Sequence, residues 1–230
     1  MSQNIEKVAV LGAGTMGAQI AGHLANAGIP SCLFDISQEL AEKGVEILTT
    51  LKPAPLYKPK NASLIEACNY DEHLDKVKDA DWIVEAVAEN LDIKHKVYNN
   101  IADYIKNTAI ISSNTSGIPL GDLTQVMSDD VKSRFLITHF FNPPRYMRLL
   151  ELVKGPDTSD DIYNDMAIFG ENVLGKGIVH AKDTPNFIGN RIGVHGGNNA
   201  IRLAIKMGLT CEEVDKLTGT IVGRPKSGVF

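Results

Sequence analysis

Cysteine is scarce in this chain of 230 residues: three stand at positions 32, 68 and 211, an odd count with no CxxC pair. That spacing argues against a disulfide framework or a thiolate zinc site. There is no basic surplus, because 28 acidic residues outnumber 23 basic ones and leave a net charge of −5. A nucleic-acid binder needs the opposite balance, so no nucleic acid is expected as partner. No run of 18 apolar residues occurs, so no membrane span is expected. The start, MSQNIEKVAVLG, has neither a basic n-region nor an apolar h-region with a cleavage site. A reducing, cytoplasmic location is the expectation. The chain also lacks an HxxxH metal spacing and a GxSxG nucleophile elbow, and shows no repeat and no low-complexity tract. The 43% hydrophobic and 22% charged residues suit a soluble globular protein rather than a disordered or coiled-coil one.

The patterning that is present alternates strand and helix. IEKVAVL (5–11) reads as a buried strand ending at glycine, and 15–27 as a helix with Met16, Ile20, Leu24 and Ala27 on one face and Gly28 as its stop. A strand at 31–35 and a polar helix near 37–51 follow, which makes a βαβ unit and implies a parallel sheet. Pro53, Pro55 and Pro59 then predict an irregular excursion. Further strands are expected at 81–87, 107–114, 134–141, 148–153 and about 176–180, with helices near 92–106 and 159–174 and a short one opening at Pro119. After KDTPNF the pattern becomes helical. Asp183 or Thr184 can cap, about 20 residues from Phe187 read as one helix, and Thr210-Cys-Glu-Glu has capping-box spacing for another. GRPKSGVF at the end reads as a loop. The domains expected are therefore 1–183, α/β, and 184–230, the first part of a truncated all-helical unit too short to bury much surface alone.

Gly12-Ala13-Gly14-Thr15-Met16-Gly17 is a GxGxxG between a strand and a helix, with Asp35 closing the second strand. Gly12 permits the turn, Gly14 admits a pyrophosphate to the backbone, and Gly17 lets the helix approach the sheet. The helix N-terminus then meets the phosphates while Asp35 accepts bonds from ribose hydroxyls, which favours NAD over NADP. The architecture implied is Rossmann-like, a doubly wound, mostly parallel sheet. Of six histidines, at 23, 73, 95, 139, 180 and 195, five read as surface or satisfied core residues. His139 differs because it lies near the end of the strand RFLITHFF, where such sheets bind ligands. Glu151 sits in the apolar run RLLELV and needs a partner; pairing with His139 would orient the imidazole, against the alternative of a structural histidine. Ser116 lies in a Ser/Thr-rich turn, Asn190 and Arg191 near a helix start, and Lys94 on what reads as a solvated face.

VLGAGTMGAQIA, IVEAVAENLDIK, SSNTSGIPL, THFFNPPRYMRLLEL and KDTPNFIGNRIG follow in order along the chain. Together they resemble the L-3-hydroxyacyl-CoA dehydrogenases of fatty-acid β-oxidation, most closely the bacterial multidomain type joined to an enoyl-CoA hydratase-like region. The resemblance implies NAD-dependent oxidation of an L-3-hydroxyacyl-CoA to a 3-oxoacyl-CoA. It implies His139 as base, Glu151 as its partner, and Ser116 and Asn190 as residues that hold the substrate oxygen. NAD contacts are implied at 12–17, Asp35, Glu89, Lys94, Ser116 and Asn142, and a homodimer and a fused or partner hydratase are implied as associations. Two other readings stay open: a CoA-independent hydroxy-acid dehydrogenase of the same superfamily, and a non-catalytic NAD-binding fragment of a larger protein.

The carboxylate of Asp35 should repel a 2′-phosphate. NADH is expected to bind at least ~10-fold more tightly than NADPH, about 1.4 kcal/mol. Fluorescence titration checks this, and equal dissociation constants would remove Asp35 from the cofactor site.

Overall fold

The computed structural model describes residues 4–223 and 228–229; part of the terminal GRPKSGVF segment, residues 224–227 and 230, lies outside the described residues. The chain divides into two compact units, Met1–Pro185 and Asn186–Phe230.

The first unit is built on one eight-stranded sheet: β1 (Val8–Leu11), β2 (Ser31–Asp35), β3 (Ile65–Asn69), β4 (Trp82–Glu85), β5 (Ile110–Ser113), β6 (Phe135–Phe140), β7 (Leu149–Lys154) and β8 (Gly177–Ala181). Their order is β3-β2-β1-β4-β5-β6-β7-β8. All neighbours are parallel except β6 and β7, so the last two strands run against the rest. β1, β4, β5 and β6 are buried at every position, as strands covered on both faces are; β1 is wholly apolar, and the polar residues of the others, Glu85, Ser112, Ser113, Thr138 and His139, are hydrogen-bonded.

The helices of this unit are α1 (Thr15–Asn26), α2 (Gln38–Thr50), α3 (Leu91–Ile101), α4 (Leu120–Leu123), α5 (Asp129–Ser133) and α6 (Asp160–Asn172). Ser37 caps α2 by accepting from Leu40 N, and Asn90 caps α3 by accepting from Ile93 N. At Gly22 a side chain would press on Leu48 at 3.2 Å, so glycine there lets α1 and α2 close on each other. Trp82, wholly buried, donates its indole N–H to Ser112 Oγ at 2.8 Å and meets Phe169 edge-on. The second unit holds α7 (Gly189–Met207), ended by left-handed Gly208, and α8 (Cys211–Thr218), which opens with the Thr210–Glu213 capping box.

Three details depart from the sequence reading. Just after the proline-rich excursion stands β3, a strand the sequence reading does not include, which pairs in parallel with β2 from Ser31↔Ile65 to Asp35↔Asn69. IEACN has too few β-branched residues and too short an alternation to announce a strand; pairing with β2 supplies what local propensity does not. Lys94 is not on a solvated face but 1% exposed. Asp183 does not cap the long helix: its carboxylate accepts from Leu120 N at 3.0 Å, and α7 starts only at Gly189, after Asn186 and Phe187 at positive φ.

His23 on α1 is buried and donates from Nε2 to Leu174 O at 3.0 Å. Burial, then the nearby Lys176 ammonium, pushes its pKa down to about 4 from 6.5, against the opposing Leu174 bond. Its contribution to stability is complete above pH 6.5 and is lost as pH falls towards 4, because only the unfolded chain takes up the proton. Between pH 7.5 and 5 this group alone should cost about 2 kcal/mol. Urea melts of His23→Gln should show a correspondingly flatter acid limb; an unchanged limb would exclude His23 as its source.

Candidate active site

The carboxyl ends of β1, β2 and β4 form the first part of the site. After β1 the chain turns at Gly12, φ +103°, where any Cβ would strike Ala86 O at 2.7 Å. A Cβ at Gly17 would lie 1.8 Å from Gly12 O, so the first turn of α1 packs directly on the strand-end loop. Gly14 is the opposite case: nothing lies within 4 Å of its Cβ position. It is the N-cap of α1 and gives no side-chain cap, so the amides opening the helix through Thr15 and Met16 are offered outward. Asp35 Oδ2 accepts from Ala13 N at 2.7 Å and Oδ1 from Ile36 N at 2.8 Å, which ties the glycine loop to the end of β2. Beside them lies a cavity of about 270 Å³ lined among others by Gly12, Gly14, Asp35, Tyr70 and Ala86. A shallow apolar cleft floored by glycine, with helix amides on one side and a carboxylate on the other, fits a dinucleotide: amides to the pyrophosphate, Asp35 to the adenosine ribose, with spare lone pairs on both oxygens.

The second part lies at the ends of β4, β5 and β6. Glu85 is wholly buried and collects Lys94 Nζ at 2.7 Å, Val87 N at 2.7 Å, Tyr98 Oη at 3.0 Å and Ser113 Oγ at 2.6 Å. Lys94 reaches from Glu85 to Glu89 at 3.2 Å. Glu89 in turn accepts from Thr115 Oγ1 at 2.6 Å and Ser116 N at 2.8 Å. Burial alone would raise the Glu89 pKa; these hydrogen bonds and the Lys94 charge outweigh it and hold the carboxyl low, so it is ionised at neutral pH. The result is a rigid anchor for the turn that carries Ser116.

The third part comes from the β6–β7 pair, whose register sets His139 opposite Glu151. His139 Nδ1 lies 2.8 Å from Glu151 Oε2, and Glu151 is wholly buried. With the carboxylate accepting the Nδ1 proton, Nε2 presents a lone pair, and Ser116 Oγ stands 3.3 Å from it. Phe141 packs edge-on against the imidazole at 4.6 Å. Just beyond, Asn142 Oδ1 accepts from Gln19 Nε2 of α1 at 3.0 Å, joining this end of the sheet to the glycine-loop helix. The Pro143-Pro144 bend is pinned by Lys176, whose ammonium donates to Pro144 O and to Met147 O at 3.1 Å and whose pKa burial pushes down to about 8.

The residues singled out from the sequence thus fall into three adjoining groups: 12–17 with Asp35; Glu89, Lys94 and Ser116; and Ser116, His139 and Glu151. Asn142 joins the third group to α1. Asn190 lies on α7 of the second unit. Glu85, Tyr98, Ser113 and Gln19 were not anticipated. The signal for Glu85 was available, since it is a carboxylate closing the apolar strand WIVE at the ligand end of the sheet, where a buried charge needs a reason. Gln19, on a helix read only for its apolar face, carried no such mark.

A dinucleotide cradle beside a carboxylate-oriented histidine, on a doubly wound sheet, defines a dehydrogenase-type α/β protein. Residues 7–184 match the model of the family described as 3-hydroxyacyl-CoA dehydrogenase, NAD binding domain, and the chain belongs to that family. It is 46% identical over 251 aligned residues to a probable 3-hydroxyacyl-CoA dehydrogenase of Bacillus subtilis, spanning all of this chain but 32% of that protein. It is also 46% identical to one of Deinococcus radiodurans, covering 98% of this chain and 67% of the relative. The solved (S)-3-hydroxybutyryl-CoA dehydrogenase of Ralstonia eutropha superposes with a TM-score of 0.83 at 31% identity, covering 96% and 79% of the two chains. The chain thus spans a third to two thirds of the curated relatives named here.

The two glycines give a separable test of the cradle. Gly17→Ala forces backbone apart and should cost about 1–3 kcal/mol of stability along with cofactor affinity. Gly14→Ala should leave the melting temperature unchanged yet weaken NADH binding at least ~10-fold, because its methyl enters open space that the pyrophosphate needs. Calorimetry beside NADH titration reads both; full affinity in Gly14→Ala would place the dinucleotide elsewhere.

Proposed function

We propose that this chain carries the cofactor-binding and proton-transfer machinery for the reversible NAD-dependent oxidation of an L-3-hydroxyacyl-CoA to the 3-oxoacyl-CoA. The observation that carries the reading is the line Glu151–His139–Ser116, with Nδ1 2.8 Å from the carboxylate and Nε2 3.3 Å from the serine hydroxyl. Nicotinamide, when bound, supplies the hydride acceptor at the substrate carbon. His139 Nε2 takes the hydroxyl proton, and Glu151 stabilises the imidazolium that forms, at 2.8 Å and out of water. Ser116 holds the substrate oxygen from the other side, its backbone fixed by Glu89. The resemblance to the family assigns Asn190 a hold on the same oxygen. Residues 12–17 and Asp35 bind the pyrophosphate and adenosine, with Glu89, Lys94 and Asn142 at the nicotinamide half. In this reading the sheet supplies mainly orientation, which is worth several kcal/mol when reacting groups are already placed.

The acyl-CoA is the substrate partner, the active assembly is a homodimer, and the working location is the cytoplasm. An enoyl-CoA hydratase activity in the same protein or complex fits too, since a relative in Rickettsia prowazekii, 38% identical across this chain, is described as a putative fatty acid oxidation complex trifunctional enzyme. A CoA-free hydroxy acid is the second reading. It has a footing in a solved NAD⁺-dependent dehydrogenase of a pyridine carboxylic acid, which has the same fold at 26% identity and a TM-score of 0.82.

The deciding experiment compares acetoacetyl-CoA with the free acids in a coupled NADH assay. Turnover only of the CoA ester supports the first reading, turnover of the free acids the second, and NADH binding with no turnover of either leaves a cofactor-binding module. In a preparation that turns over acetoacetyl-CoA, His139→Gln should lower kcat by roughly 10²–10⁴ with little change in NADH affinity. Near-normal turnover would remove His139 from the chemistry. Glu151→Gln should lower kcat as well; loss of stability alone would make Glu151 structural.

A further inference from the structure

Away from the dehydrogenase site, three metal-ligating side chains converge on the edge of the sheet. The parallel register of β2 and β3 sets Cys32 opposite Glu66 and Phe34 opposite Cys68. Because side chains alternate along a strand, Cys32, Glu66 and Cys68 all point to one face. It is the face opposite to the one on which Leu33 meets α2 at Gly44. The two sulfurs and a Glu66 carboxylate oxygen all lie within 4.8 Å of one another. Cys32 Sγ and Glu66 Oε2 are 3.8 Å apart. Both cysteines are buried, at 1% and 0% exposure, while the glutamate reaches the surface.

We propose that Cys32, Cys68 and Glu66 form a zinc site that clips the edge strand β3 to β2. The donor chemistry selects the ion. Two thiolates and one carboxylate favour a borderline-soft, tetrahedral divalent ion over calcium or magnesium, which take oxygen ligands. Thiolates bound at ~2.3 Å in a tetrahedron sit about 3.8 Å apart, within the span already present. Glu66 is oriented for the role: Lys76 holds Oε1 at 2.5 Å and leaves Oε2 turned to Cys32. The three negative charges of the ligands are met by the divalent ion and the Lys76 ammonium. A fourth position opens to water through a surface hollow lined by Lys7, Pro30, Ser31, Cys32, Ser63 and Glu66. Spacing along the chain hides such a site, since 36 residues separate two cysteines that strand pairing brings together.

The test uses the full chain carrying Cys211→Ser, which removes the exposed third thiol. Reduced protein is titrated anaerobically with Co²⁺ and then with Zn²⁺. The expected result is a thiolate-to-cobalt charge-transfer band that saturates at one ion per chain and is displaced by Zn²⁺. Release of about two protons and a higher melting temperature should accompany it. Adding Cys32→Ser and Cys68→Ser should abolish the band while NADH binding reports that the fold persists. If that double variant fails to fold, Glu66→Gln carries the test: at least ~10-fold weaker cobalt binding supports the site, and unchanged binding overturns it. Absence of the band in the reduced parent protein, or its persistence without Cys32 and Cys68, overturns the proposal.

Discussion

A carboxylate removed from water must be met by cations or hydrogen-bond donors, and the ligand end of this sheet is organised around two such groups. Glu85 and Glu151 are both fully buried. Leaving either alone would cost several kcal/mol, so each collects partners, among them the residues to which the proposed function gives a role. Glu85 draws in Lys94, Tyr98, Ser113 and the Val87 amide, and through Lys94 it steadies Glu89 and the Ser116 turn. Glu151 holds one nitrogen of His139 and so leaves the other to face Ser116. The two networks meet at that serine.

Strand direction makes the second network possible. A parallel neighbour for β6 would enter by a crossover from the far end of the sheet. The antiparallel turn through Asn142-Pro143-Pro144 instead returns the chain at once and places Glu151 directly opposite His139. Lys176, donating to the carbonyls of Pro144 and Met147, and Gln19, donating to Asn142, hold that turn from two sides. The same α1 that carries Gln19 begins at the glycine cradle, so one helix links the dinucleotide cleft to the bend beyond the histidine.

Much of this was legible in the order of residues. GxGxxG between an apolar strand and a small-residue helix, with Asp35 18 residues after Gly17, specifies local backbone geometry, and local geometry follows from sequence spacing. The buried parallel strands announced themselves as apolar runs. His139 and Glu151 could be singled out because each is a titratable residue in an otherwise apolar strand, a placement that demands a partner.

What the sequence by itself determined, then, was the set of elements, the cradle and the suspicion of a histidine–carboxylate pair. Tertiary structure decided the pairing itself, because only the β6–β7 register brings residues 12 apart in the chain to 2.8 Å. It decided β3, whose five residues are a strand only because β2 offers unpaired backbone groups beside them. It also decided that Lys94 is a buried strut: a lysine on a polar helix reads as solvated until two carboxylates from other segments close over it. Contacts distant in sequence leave no periodicity for the chain to display, and they are the contacts that set charge, burial and reach in the site.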